Sequence, residues 1–195
     1  MTETPTTARR PRADAQRNRE RIIETADAAF REEGLDVSVA EIARRAEVGS
    51  GTLFRNFPTK DDLVRAIIEM HMNRWIDTIQ AAIDAEDTGA AFGDFFESAV
   101  FFNFRDRGML EAVKGGLLDK GELFECKCQA LDLSQKLIDR AKKSGVLRED
   151  VTVEDVYALA SGVAESAHAA VREGAADPAD AHRKYVPILL AGLRP

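Results

Sequence analysis

Cysteine is almost missing from this chain of 195 residues; the two present are Cys126 and Cys128. A pair so close in sequence cannot staple distant segments, so the core must hold the fold, and a reducing, cytoplasmic setting is expected. Long apolar runs are missing too. None approaches the roughly 18 residues of a membrane span, and the N-terminal Met-Thr-Glu-Thr-Pro-Thr-Thr lacks a signal-peptide core, so no membrane partner is expected. Histidine is scarce, and His71, His168 and His182 show no metal-like spacing; neither a metal nor a cofactor is expected. No nucleophile–base pair and no phosphate-cradling glycine loop appears, which argues against an enzyme. No window sustains period-two alternation with β-branched residues, so strands are not expected.

What is present is a globular balance of 45% hydrophobic and 31% charged residues. A chain of this length buries roughly 70% of its unfolded surface and needs no covalent staple. The net charge is −7, unevenly placed: residues 1–60 carry 11 Lys and Arg against 10 Asp and Glu, and the remainder 16 against 24. Six arginines fall within residues 9–21, opposed only by Asp14 and Glu20. An acidic protein with one basic end is suited to touching a polyanion with that end alone.

Glycine and proline divide the chain into helical segments. Residues 1–13, rich in Thr, Pro and Arg, read as a mobile basic arm. A first helix spans about 14–33, with Ile22, Ile23, Ala26, Ala29 and Phe30 on one face and Gly34 placed to stop it. Ser38-Val39-Ala40-Glu41 reads as a capping box that opens a short second helix. Glu47-Val48-Gly49 is a tight turn. A third short helix spans about 50–56 and ends at Phe57-Pro58, because the residue before proline is pushed out of the α region. Thr59-Lys60-Asp61-Asp62 caps a long helix over 60–85. Further helices are expected over 90–107, 109–118, 120–143, 152–173 and 178–193, the last kinked or divided at Pro187. The fold class is therefore all-α, with about nine helices.

Three short helices, the last two joined by a tight turn, form a helix-turn-helix unit. Its third helix is narrow at the start, where Gly49, Ser50 and Gly51 leave room for close approach to an anion. Thr52 carries a hydroxyl and a methyl for phosphate or thymine, and Arg55 and Asn56 suit guanine, adenine or phosphate. Leu53 and Phe57 are the apolar residues that pin the helix. Arg44 and Arg45 either solvate the second helix or reach DNA, and the arginine-rich arm is either a solubilising tail or a DNA contact.

Arg21-Ile22-Ile23 through Phe30, Ser38-Val39-Ala40-Glu41-Ile42-Ala43 and Val48-Gly49-Ser50-Gly51-Thr52-Leu53-Phe54-Arg55-Asn56-Phe57-Pro58-Thr59-Lys60-Asp61-Asp62-Leu63 together resemble the DNA-binding domain of the TetR family of bacterial repressors. Gly145-Val146-Leu147-Arg148-Glu149-Asp150 resembles the stretch before that family's dimerisation helices. The resemblance implies phosphate contacts from Ser38 and Lys60. It implies base or phosphate contacts from Ser50, Gly51, Thr52, Arg55 and Asn56. Four positions depart from the pattern: Glu47 stands where glycine is usual, Gly49 for a serine cap, Phe54 for tyrosine at the DNA face and Asn56 for histidine.

In the remainder, six of ten phenylalanines fall between 92 and 104. Phe92, Phe95, Phe96 and Phe102 lie near one helix face. They read either as ordinary core or, with Met70, Trp75, Leu123 and Phe124, as walls of an apolar effector pocket. Asn103, Gln129, Glu165 and His168 are candidate polar contacts there. Cys126 and Cys128, two apart on a helix, point to different faces and read as small half-buried hydrophobes. The segment 152–173 is rich in small residues, which permit close helix approach. Gly162, Ala167 and Ala170, with Ile188 and Leu189 of the last helix, read as a dimer interface.

The expected organisation is thus a basic arm (1–13), a helix-turn-helix domain (14–59) and a ligand-binding and dimerisation domain (60–195). The expected function is a homodimeric regulator on a double-stranded DNA operator, a repressor released by a small apolar effector. The alternatives are a DNA-binding regulator without a small effector and, more remotely, an enzyme.

Overall fold

The computed structural model describes residues 9–105, 121–172 and 178–195, with side chains described for 14–102, 121–167, 169 and 183–195. Among the described residues there are eight helices and no strand, in keeping with the all-α reading. They are α1 (Arg9–Glu33), α2 (Val39–Arg45), α3 (Ser50–Asn56), α4 (Lys60–Asp84), α5 (Thr88–Arg105), α6 (Glu122–Lys143), α7 (Val153–Arg172) and α8 (Pro178–Leu193). The helix expected over 109–118 lies outside the described residues. Two boundaries differ from the sequence reading. α1 begins at Arg9 rather than near Asp14, because Pro11 falls in the first turn, where its missing N–H would have had no intrahelical acceptor. α8 is not divided, and Pro187 sits inside one continuous helix.

The chain forms two compact units, with the boundary between Met70 and His71, inside α4. The core of the first unit joins Ile22, Ile23, Ala26 and Ala29 of α1 to Ile42 and Ala43 of α2, Leu53 of α3 and Leu63, Ala66 and Ile67 at the start of α4. Met70, expected among the pocket residues, packs instead against this core.

The turn between α2 and α3 follows from backbone accounting. The last carbonyls of a helix need donors, and here the amides of Glu47 and Val48 bond back to Arg44 O (3.2 Å) and Ala43 O (3.0 Å). This is the paired arrangement that usually places glycine in the left-handed region just past the helix end. Glu47 occupies that position, with φ 52°. The equivalent position after α6 is held by Gly145, φ 70°, with Gly145 N to Lys142 O at 2.9 Å and Val146 N to Ala141 O at 2.9 Å.

In the second unit α5 packs along α7, α7 packs along α8, and α5 also meets α6 and α8. Ala160, Ala164 and Ala167 of α7 are buried in the unit, and their small size permits the close helix approach. The C-terminus of α4 is closed by a residue distant in sequence. Arg140 of α6 donates to the carbonyls of Ala82 (3.3 Å), Ile83, Ala85 and Glu86 (3.4 Å), supplying donors that the helix end lacks. Thr152 and Asp155 form the expected cap of α7: Thr152 N and Oγ1 both donate to Asp155 Oδ2 at 2.8 Å, and Asp155 N returns a bond to Thr152 Oγ1 at 3.2 Å. The chain end is tied back through Arg148, whose amide donates to Leu193 O at 3.0 Å.

A left-handed backbone costs a non-glycine residue about 1–2 kcal/mol, of which glycine's greater unfolded-state entropy returns roughly 0.4–1 kcal/mol. Glu47→Gly is therefore expected to raise the unfolding free energy by about 0.5–1 kcal/mol, and Glu47→Val, which is β-branched, to lower it. Denaturant melts of the three proteins check this; a less stable Glu47→Gly would contradict it.

Candidate functional site

The outer face of α3 is set by what the inner face must bury. Leu53 and Phe57, four residues apart, are 1% and 2% exposed. The remaining positions must then point outward or sideways on a helix of this period: Ser50, Gly51, Phe54 and Arg55 are exposed, and Thr52 and Asn56 are half-buried. The helix starts at Gly49, which has extended backbone and no side-chain cap. A Cβ built at Gly49 or Gly51 would meet nothing within 4 Å. Both glycines thus leave an open, low surface at the head of the helix, ahead of the exposed Phe54 ring. Arg55 lies back along the helix, donating to Gly51 O at 3.2 Å and Thr52 Oγ1 at 3.1 Å. Asn56 turns its amide nitrogen to Thr52 O at 2.8 Å, which uses one of its two N–H donors.

α2 is capped by Ser38, whose Oγ accepts from the amide of Glu41 at 3.2 Å. The reciprocal half expected of a capping box is not what Glu41 does. Its carboxylate receives Arg44 through two parallel bonds, Nε at 2.8 Å and Nη2 at 2.7 Å, and Arg45 Nε at 2.8 Å. These guanidinium bonds hold the Glu41 carboxyl far below the ordinary carboxylate range, at about 2. Arg45 also reaches Glu32 (3.1 Å) and Glu33 at the end of α1. Arg45 is thus a clamp between α1 and α2 that sequence reasoning left undecided, because its partners lie on another helix.

Lys60 was expected at a phosphate. Its ammonium donates to the carbonyls of Leu35 and Val37, the latter at 3.0 Å, and lies 5.4 Å from the centre of the Phe30 ring. It ties the α1–α2 connection to the start of α4. Thr59 and Asp62 form the predicted cap beside it: Thr59 N and Oγ1 donate to Asp62 Oδ2 at 3.0 and 2.7 Å, and Asp62 N to Thr59 Oγ1 at 3.1 Å. Of the arginine-rich stretch, Arg19 places its guanidinium 5.1 Å from the centre of the Phe57 ring, and Arg17 and Arg21 pair with Asp14 and Asn18 on their own helix.

In the second unit the aromatic side chains gather around Trp75. Phe95 and Phe102 both stack on it at 5.3 Å, Tyr157 meets it edge-on at 6.4 Å, and Phe92 lies 6.2 Å from Phe95. Phe92, Phe95 and Phe96 are buried, whereas Phe101 and Phe124 are about half exposed. Through the cluster runs a polar line that the sequence did not reveal: Trp75 Nε1 donates to Tyr157 Oη at 3.2 Å, Tyr157 Oη pairs with Ser134 Oγ at 2.8 Å, and Ser134 Oγ donates to Ala130 O at 2.7 Å. Burial pushes the Tyr157 hydroxyl above the usual phenol range, against the pull of its two hydrogen bonds. Glu165 and Gln129 are exposed. Asn103 and His168 lie outside the described side chains. Cys126 and Cys128 are half-buried and form no disulfide among the described residues.

The expected dimer residues separate. Gly162 is exposed, Leu189 is half-buried and Ile188 is 60% exposed. Ala167 is fully buried in its own chain, so it belongs to the interior of the unit and not to an outer surface. Ala170 lies outside the described side chains. Beside Ile188 an open groove of about 550 Å³ is lined by Ala158, Leu159, Leu189, Arg148 and Asp150 among others. Among the described residues no cluster of three or more metal-ligating side chains occurs, and no helix is long and apolar enough to cross a membrane.

Comparison with known proteins matches residues 22–67 to the model of bacterial regulatory proteins, tetR family, and residues 87–195 to that of the transcriptional regulator SbtR-like C-terminal domain. A crystal structure of a TetR transcription regulatory protein from Mycobacterium vanbaalenii is similar at 32% identity, covering 94% of this chain and 99% of that one, with a TM-score of 0.70. A TetR transcriptional regulator from Streptomyces coelicolor is similar at 28% identity over 91% of this chain and 98% of its own, again with a TM-score of 0.70. An HTH-type transcriptional regulator of Staphylococcus aureus is 42% identical over 66 residues, which is 33% of this chain and 36% of that protein. The chain thus matches only about a third of the length of the curated relatives.

Removing the Lys60 ammonium strands two carbonyls and a ring contact. Lys60→Ala is expected to lower the unfolding free energy by roughly 1–3 kcal/mol, measured by denaturant melts. An unchanged midpoint would show that the ammonium is not the tie described.

Proposed function

Since the chain belongs to the TetR family of bacterial regulators, we propose that this DNA-binding regulator acts as a homodimeric repressor released by a small apolar effector. The observation that carries the DNA half is the division of α3 into a buried face, Leu53 and Phe57, and an open face, Ser50, Gly51, Phe54 and Arg55. Thr52 offers its methyl to a thymine and Arg55 its unused guanidinium donors to a base edge or phosphate. Ser38 at the head of α2 contacts the backbone, which fixes register without reading sequence. Lys60 contributes indirectly, by holding the connection that carries Ser38.

The dimer reading rests on the exposed Gly162 and on Ile188 and Leu189 with the groove that these two line. An exposed apolar side chain next to small residues is suited to burial against a second copy. Two such units on a two-fold axis place paired α3 helices in successive major grooves about 34–36 Å apart. The effector reading rests on the aromatic cluster around Trp75. Its rings suit an apolar or cyclic ligand, and an ionised one would need a buried counter-charge. A ligand that favours the other arrangement of the dimer weakens DNA binding about 5- to 150-fold at the usual coupling of 1–3 kcal/mol. One observation favours a second reading, a regulator without a small effector: Phe92, Phe95 and Phe96 are all buried, and Phe95 already packs against both Phe92 and Trp75.

Selection from a random duplex pool is expected to recover an approximately palindromic site, with half-sites about 10 base pairs apart or a multiple of that. Thr52→Ala should change the preference at one position of each half-site. Recovery of a single asymmetric site, or no enrichment, would contradict the reading. Trp75 is the only tryptophan, so its emission reports on the cluster. An apolar compound that releases the selected duplex should also change that emission, and Phe96→Ala should blunt both responses. A panel of apolar and cyclic compounds that leaves both unchanged would favour the regulator without an effector.

A further inference from the structure

The cationic side chains of α2 find carboxylates within the first unit. Arg44 and Arg45 face Glu41, Glu32 and Glu33, two guanidiniums against three carboxylates. The two arginines are held differently. Arg45 has 26% of its side chain exposed and bonds to all three carboxylates, so it is committed to joining α1 and α2. Arg44 has 73% of its side chain exposed, and its ion-pair partner is Glu41 alone among the described residues. In a helix-turn-helix the helix before the recognition helix crosses the phosphate backbone. An open guanidinium there would be expected to neutralise a phosphate, yet the Nε and Nη2 edge of Arg44 is already given to one carboxylate.

We infer that Glu41 restrains the affinity of this protein for DNA: its two-bond hold on Arg44 sets a carboxylate in competition with phosphate for that guanidinium and so lowers affinity for every base sequence alike. The inference rests on the reading that the first unit docks α2 and α3 on a duplex. Two effects act together. An arginine edge fits carboxylate and phosphate alike, so Glu41 takes the Nε edge and leaves a phosphate only the remaining donors. The carboxylate's charge also cancels that of Arg44, and the depressed Glu41 carboxyl keeps that charge at every working pH. Phosphate contacts strengthen binding to all sequences equally. Restraining one such contact therefore weakens specific and non-specific binding by the same factor, and the contacts of α3 to base edges set their ratio.

The test is the salt dependence of binding to a random-sequence duplex of about 30 base pairs, titrated from about 50 to 300 mM potassium chloride. Glu41→Gln should steepen the slope of log affinity against log salt by about 0.9 and tighten binding at 50 mM roughly tenfold. Adding Arg44→Ala to Glu41→Gln should abolish that gain. Arg44→Lys keeps the charge, the Glu41 carboxylate and its bond to Arg45 but loses the planar fork. It should steepen the slope by less than Glu41→Gln does, because the carboxylate stays, and it serves should Glu41→Gln melt. An unchanged slope in Glu41→Gln, or a gain that survives the loss of Arg44, would overturn the inference. If the unaltered protein binds no duplex at any salt, the docking reading fails and this inference falls with it. That outcome is separable, because it appears before any substitution is made.

Discussion

The burial of Leu53 and Phe57 is the constraint on which the DNA-binding half depends. α3 has seven residues, too few to persist as a helix by local propensity alone. It exists because these two side chains anchor it on a core supplied by α1, α2 and the start of α4. The same anchoring decides which residues face outward. With Leu53 fixed inward and Phe57 buried just past the C-terminal end, the remaining positions of α3 carry glycine, serine, threonine, asparagine, an exposed phenylalanine and an arginine. The open face of α3 is therefore a consequence of its packing.

Around that anchor, the unit is tied by charged side chains that reach main-chain or side-chain groups on other elements. Lys60 closes on the carbonyls of the α1–α2 connection, Arg45 on the end of α1, and in the second unit Arg140 on the end of α4. Each supplies donors to acceptors that a helix end or loop would otherwise leave to water. Short helices with such ties keep their position without a large core. Glu47, held at φ 52° in the turn, is the place where the same unit carries backbone strain.

The local part of this structure was legible in the sequence. The caps at Ser38, Thr59 and Thr152, the stop before Pro58 and the inward faces of α1 and α3 are each written in residues within four positions of one another. Glu47 in a glycine position was legible only through the family pattern. The ties made by Lys60, Arg45 and Arg140 were not, because their partners are distant in sequence and any exposed helix carries such cations. Ala167 was misread because a row of small residues looks the same whether it admits a neighbour of its own chain or a second copy. The polar line from Trp75 through Tyr157 to Ser134 joins three helices, and no spacing within one of them announces it. Glu41 and Arg44 are three apart and could have been paired from spacing, but the cap pattern claimed Glu41 first.

The most direct measurement of the central claim is amide hydrogen exchange of the protein with and without a tightly bound duplex. Peptides covering residues 49–57, the turn and α3, should gain protection on binding, while peptides covering the buried aromatic stretch 92–100 of α5 should not gain through direct contact. Protection confined to the second unit, with 49–57 unchanged, would contradict the account.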